Sequence, residues 1–188
     1  MNKILSVKQK SETLLHFSVS KLRVFTCIIC LFLMSFPACG YRFEKGTLPL
    51  GIKSICITIF ENHTAETGIE TVFTNDIIDE FTGNTDLVLT SCDRADAVLS
   101  GKIDAMTIKT ISRGGTHTAL ERQVKISVSL KLTGSDGNVI RSVKNLTEDE
   151  AYFVISDKIG TEQNRRHAVS LISKRAAETG FQHFTNDF

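Results

Sequence analysis

The sequence predicts an α+β fold. It is a two-layer sandwich in which a small, mainly antiparallel sheet carries two helices on one face, in the order β-α-β-β-β-α. Three observations predict it. Residues 124–132 alternate strictly: Val124, Ile126, Val128, Leu130 and Leu132 are separated by Lys125, Ser127, Ser129 and Lys131, the period of a strand with one dry face and one wet. Two other segments, 70–81 and 161–184, instead repeat apolar residues at helical spacing. The later strands follow one another without an intervening helix, so they pair antiparallel and leave the helices to cover a single face.

Each element has its own signal. Residues 54–60 alternate, with Ile55, Ile57 and Ile59 on one face of a first strand. Residues 62–68 are polar and form a loop. In the first helix Val72, Phe73, Ile77 and Phe81 make one stripe, while Glu70, Asp76, Asp79 and Glu80 take the other side. Gly83 and Asn84 end it. After a short apolar run at 87–90, residues 97–111 form a long strand. Leu99, Gly101, Ile103 and Ala105 share one face, and Val98, Met106 and Ile108 share the other. Gly114 and Gly115 lie in a hairpin loop at 113–118, where positive φ costs little. The strand at 124–132 pairs with 139–146 through the turn Ser135-Asp136-Gly137-Asn138. The acidic residues 147–150 then form a loop into the last helix. Its inner stripe is Ala168, Leu171, Ile172, Arg175, Ala176, Phe181 and Phe184, and residues 163–166 with Lys174 form its solvated side.

The first 38 residues differ from the rest. They hold five basic residues against one acid, a net of +4, which leaves the other 150 with 17 basic and 20 acidic residues, net −3. The whole chain, at +1, carries no basic footprint for nucleic acid. Residues 24–36 contain no charge, a run too short for a membrane span but suited to the apolar region of a secretory signal. The basic region before it is long, which fits a start placed upstream of the true one better than a signal anchor.

Pro37, Ala38, Cys39 and Gly40 close this leader. A small residue before a cysteine, directly after an apolar run, resembles the bacterial lipobox, with Phe36 where leucine is the preferred residue. That predicts cleavage before Cys39, a diacylglycerol on its sulfur and an acylated amino group. Several acyl chains anchor stably where one does not. Gly40 in place of aspartate implies sorting to the outer membrane. The chain therefore divides into a signal peptide at 1–38, a lipid-anchored tether at 39–50 and one domain at 51–188. Cys27 and Cys30 form a C-x-x-C inside the leader and are lost with it. Cys56 and Cys92 remain, as a disulfide or as two buried thiols.

Chemistry is sparse. There is no P-loop, no G-x-G-x-x-G, no H-E-x-x-H, no G-x-S-x-G and no EF-hand loop. His63, His117, His167 and His183 have no second ligand at metal spacing. The sequence thus implies neither metal nor cofactor beyond the lipid on Cys39, and a binding or scaffold role rather than an enzyme.

A series of short motifs carries a resemblance. Cys39-Gly40-Tyr41-Arg42-Phe43 is followed by Leu48-Pro49, Asn62-His63-Thr64, Gly68-Ile69-Glu70, Phe73-Thr74 and Ala95-Asp96-Ala97-Val98-Leu99-Ser100-Gly101. In this order, over 39–188, the chain resembles the LptE family of lipopolysaccharide-assembly lipoproteins. The resemblance implies a small sheet with two helices and an outer-membrane lipoprotein on the periplasmic side. It also implies that the protein plugs and helps assemble the LptD β-barrel, inside whose lumen it sits, and binds lipopolysaccharide on its way to the cell surface. No catalysis is implied. Cations on or beside the central hairpin, Arg113, Arg122, Lys125 and Lys131, are the candidates to meet lipid A phosphates, although Lys125 and Lys131 also suit the wet side of an amphipathic strand. The rival reading is another periplasmic envelope lipoprotein, such as a secretin pilot or a structural module.

Overall fold

The structure, a computed structural model, describes residues 46–113 and 119–185. The leader, Cys39 and the loop at 114–118 lie outside the described residues, as does the side chain of Arg113.

A 3-10 turn at Pro49–Gly51 leads into β1 (Ser54–Ile57) and β2 (Glu61–Asn62). Then come α1 (Ile69–Gly83), β3 (Val88–Leu89), β4 (Ala97–Arg113), β5 (Ala119–Gly134), β6 (Val139–Phe153) and α2 (Lys158–Thr185). The sheet order is β3-β1-β4-β5-β6, with β2 beside β4. β4, β5 and β6 are antiparallel, while the short β1, β2 and β3 pair parallel to their neighbours. The predicted two-layer fold is present, with two further two-residue strands.

β5 matches its prediction: Val124, Ile126, Val128, Leu130 and Leu132 are all buried. Ile69, Phe73, Ile77 and Phe81 of α1 and Ala168, Ile172, Ala176 and Phe184 of α2 close over that face. Alanines and Gly180 give α2 a thin inner stripe. Asp157 accepts the backbone N–H groups of Ile159 and Gly160 at the helix start, filling part of the unsatisfied first turn. Arg141 of β6 donates to the carbonyls of His183 and Phe184 at its end.

Four sequence expectations need correction. The first strand stops at Ile57, and Ile59 is 73% exposed. Phe60 turns inward instead, its N–H bound to the hydroxyl of Thr74 on α1. In β4 the alternation breaks at Asp104, where two β4 residues oppose one of β5. This bulge re-phases the strand, so Met106, not Ala105, continues the face of Leu99, Gly101 and Ile103. Residues 147–150 are not a loop, because β6 runs on through Phe153. Glu148 and Glu150 face α2, and Arg175 ion-pairs with both, so acidic residues occupy the helix-side face without breaking the strand. Arg165, expected on a solvated side, is largely buried between Glu66 and Glu162.

Candidate functional site

The described motif residues prove to be structural. Asn62 donates to the Glu66 carbonyl and to the Glu70 carboxylate, and accepts from the N–H and hydroxyl of Thr64. Asn62-x-Thr64 is thus a knot that shapes the approach to α1. Glu70 also accepts the Gly68 N–H, and its own backbone N–H, then Asn62 and Gly68, hold its pKa below the ordinary value against some burial. Asp96 accepts the Ser54 hydroxyl at 2.8 Å and the N–H groups of Ser54 and Lys53. Led by the hydroxyl, these bonds depress its pKa. They pin the start of β1 to the start of β4. Gly101 lies beneath the Phe60 ring, and a Cβ there would fall inside it. The order of these residues along the chain therefore reports the fold, not a ligand.

Cys56 and Cys92 are joined by a disulfide that ties β1 to the segment after β3, which resolves the pair left open by sequence.

The sheet face away from the helices is polar. In register across it stand Ser100 of β4, Lys131 of β5 and Ser142 of β6. Lys102 opposes Ser129 in the next row, and β6 contributes Lys144. These three lysines and three serines line one open concavity of about 430 Å³, which Glu61 also lines. Lys102 pairs with Asp104 at 2.7 Å, and the hydrogen bond raises its pKa. Burial raises the Asp104 pKa, but the hydrogen bonds from Lys102 and Ser129 outweigh it and leave the pKa lowered. Lys131 and Lys144 have no carboxylate within ion-pair distance among the described residues. The groove therefore offers two uncommitted ammonium groups beside a row of hydroxyls, a surface that can receive an anionic group.

The four cations expected to act together are divided. Lys131 is in the groove. Lys125 is on the same face, opposite Thr107 and Asp149, six residues away, or roughly 20 Å along the strand. Arg122 is half-buried on the helix side, between Thr110 and Tyr152. Arg113 ends β4 at the hairpin tip. Lys102 and Lys144 were missed, and no sequence signal marks them. Ser129, expected to be merely wet, donates to Asp104 at 2.6 Å and accepts the Asn145 N–H at the bulge of β6.

Among the described residues no group of three or more His, Cys, Asp or Glu could hold a metal ion. No described helix is long and apolar enough to cross a membrane.

A family model described as LptE, lipopolysaccharide-assembly, matches residues 52–183. The chain belongs to the LptE family. It is a lipopolysaccharide-assembly lipoprotein of the cell envelope, and the LptE family is non-enzymatic. Solved structures with a similar course include a minor lipoprotein from Acinetobacter baumannii (19% identity, 73% of this chain and 93% of that one, TM-score 0.48). Others are rare lipoprotein B from Shewanella oneidensis (13%, 69% and 92%, TM-score 0.47) and an uncharacterized lipoprotein B from Nitrosomonas europaea (10%, 71% and 83%, TM-score 0.49). No curated protein sequence is similar enough to the chain to match it.

Proposed function

We propose that this protein is held in the outer membrane by a lipid on Cys39, plugs and helps assemble an LptD-type β-barrel, and binds lipopolysaccharide during its delivery to the surface. The observation that carries the ligand reading is the groove of Lys102, Lys131 and Lys144 on the helix-free face. Lipid A presents phosphates, and the ammonium groups of Lys131 and Lys144 beside hydroxyls suit them. The same face supports the plug reading, because the interior of a membrane barrel is polar and so is this side of the sheet. Lys125 extends the cationic face, whereas Arg122 lies half-buried on the helix side. No cofactor is needed, and no bond is made or broken.

The test has two arms. Tagged full-length protein, purified from its own solubilised outer membrane, should bring the barrel with it. A plug should bury more than the roughly 1,600 Å² of a standard interface and survive mild detergent. Lipopolysaccharide should bind best at low ionic strength, where attraction between exposed charges is least screened. Lys131→Ala with Lys144→Ala should weaken that binding about tenfold, as expected if roughly 1.4 kcal/mol is lost, and Arg122→Ala should change it less. Elution alone, together with no lipopolysaccharide binding at low salt, would sink the assignment. Binding intact in the double variant would keep the family and discard the groove.

A further inference from the structure

The described chain begins at one end of the sheet, and that end exposes apolar side chains, as does the opposite end with Phe153, Ile155 and Ile159. The Gly46 N–H donates to the carbonyl of Asn84, just past α1, and Gly46 packs against Phe181 and Thr185 near the end of α2. β1 and β3 start at this end, paired through Ser54 and Val88. β4 starts there and β5 finishes there, Ala97 opposite Gly134, and β6 starts beside them at Val139.

Among the described residues, Leu50 at 84%, Val88 at 63% and Val139 at 56% exposure are the most exposed large apolar side chains at this end. Leu50 and Val139 line one concavity with Lys53, and Val88, whose N–H donates to the Lys53 carbonyl, stands on the opposite edge strand at the same end. Leu50 also has φ +63°, a left-handed conformation that is uncommon for a bulky residue. Among the described residues nothing covers it, and its side chain points outward. Clustered exposure of this kind marks a contact surface, where single exposed leucines do not.

The sequence supplies the occupant. Seven residue steps separate Cys39 from Gly46, a reach of at most ~25 Å. An anchor on Cys39 therefore holds this end, and not the hairpin tip, near the bilayer. β5 alone, with 16 residues, puts the tip about 50 Å further away. We propose that Leu50, Val139 and Val88 form a membrane-facing foot that rests on the lipid surface carrying the anchor. The proposal rests on lipidation of Cys39. The contact is apolar: Asp96 and Asp136 face the single cation Lys53 around the concavity, so charge does not favour an anionic surface.

The chain has no Trp, so one introduced indole reports its own surroundings. Leu50→Trp, Val139→Trp and Ile159→Trp would each be placed in the mature lipoprotein, purified with its lipid and reconstituted into phosphatidylcholine vesicles containing brominated acyl chains. Ile159 is 71% exposed and stands at the far end of α2, about 33 Å from Phe181. The foot predicts blue-shifted emission and loss of most of the signal to bromine at positions 50 and 139, with emission at 159 unchanged. Equal, weak quenching at all three positions would overturn it, and position 139 serves if the Leu50 variant does not fold. Intact mass separates the two ideas: a protein without lipid overturns the anchor and the foot together, whereas a lipidated protein with an unquenched foot overturns only the foot.

Discussion

Leu130 and Gly180 give a test of how α2 sits on the sheet. Leu130 is 2% exposed, and a Cβ placed on Gly180 would stand 2.5 Å from its Cδ1 and 3.9 Å from Cδ1 of Ile77. Leu130→Ala removes three buried carbons, about 2.4 kcal/mol at ~0.8 per methylene. If roughly half of an ~80 Å³ void stays open, the cavity adds about 1 kcal/mol at ~24 cal/mol per Å³. The total of about 3.5 kcal/mol is a large share of the ~5–15 that holds a domain folded. Gly180→Ala alone gains about 1 kcal/mol of helix propensity but overpacks against Leu130, at a cost of ~1–3 kcal/mol, so the variant should be slightly destabilised. In the Leu130→Ala background the clash is gone. There Gly180→Ala keeps its propensity gain and part-fills the void, stabilising by about 1.5–2 kcal/mol. The sign of the same substitution therefore reverses. Urea unfolding of the four proteins would measure this. With a slope near 2 kcal/mol per M, Leu130→Ala should lower the midpoint by ~1.5–2 M. The double-mutant cycle should give a coupling of ~2–3 kcal/mol. Additivity within ~0.5 kcal/mol would refute the close approach of α2 to β5 at this point. Ser127→Ala is the proper surface control, since Ser129 is tied to Asp104 and Asn145.

Two further outcomes follow from the cross-links. The Cys56–Cys92 bridge spans 36 residues, so removing it as Cys56→Ala with Cys92→Ala should cost about 2–4 kcal/mol through the freed unfolded chain; an unchanged urea midpoint would contradict the bridge. Glu162, hydrogen-bonded chiefly by Arg165 against some burial and then by Arg166, titrates at about 2 instead of 4.5. A carboxyl depressed on folding contributes stability that is complete above its free value and lost as pH falls through the folded one. Stability should therefore decline between about pH 4.5 and 2. Arg165→Ala should flatten that part of the decline in pH-dependent unfolding, and an identical slope would show that the pair is not formed.

Local pattern determined much of this protein. Strict alternation over 124–132 defined the buried face of β5 without knowledge of its partners, because a strand's side chains change face at every residue. The spacing of Phe73, Ile77 and Phe81 did the same for α1. The motif series led to the family because those residues build joints: Asn62 a turn, Asp96 the pinning of β1, Gly101 a place for the Phe60 ring. What local pattern could not determine was pairing. The bulge at Asp104 exists only because β4 lies against β5, and it moves Met106 into the place expected for Ala105. β6 continues through its acidic residues because Arg175 from a helix 25 residues later neutralises Glu150. The groove is the clearest case. Lys102, Lys131 and Lys144 come from three strands and meet only through cross-strand register. A one-residue slip would send a lysine to the other face, and that register is set by the whole sheet packing on its helices, not by the residues around any one lysine.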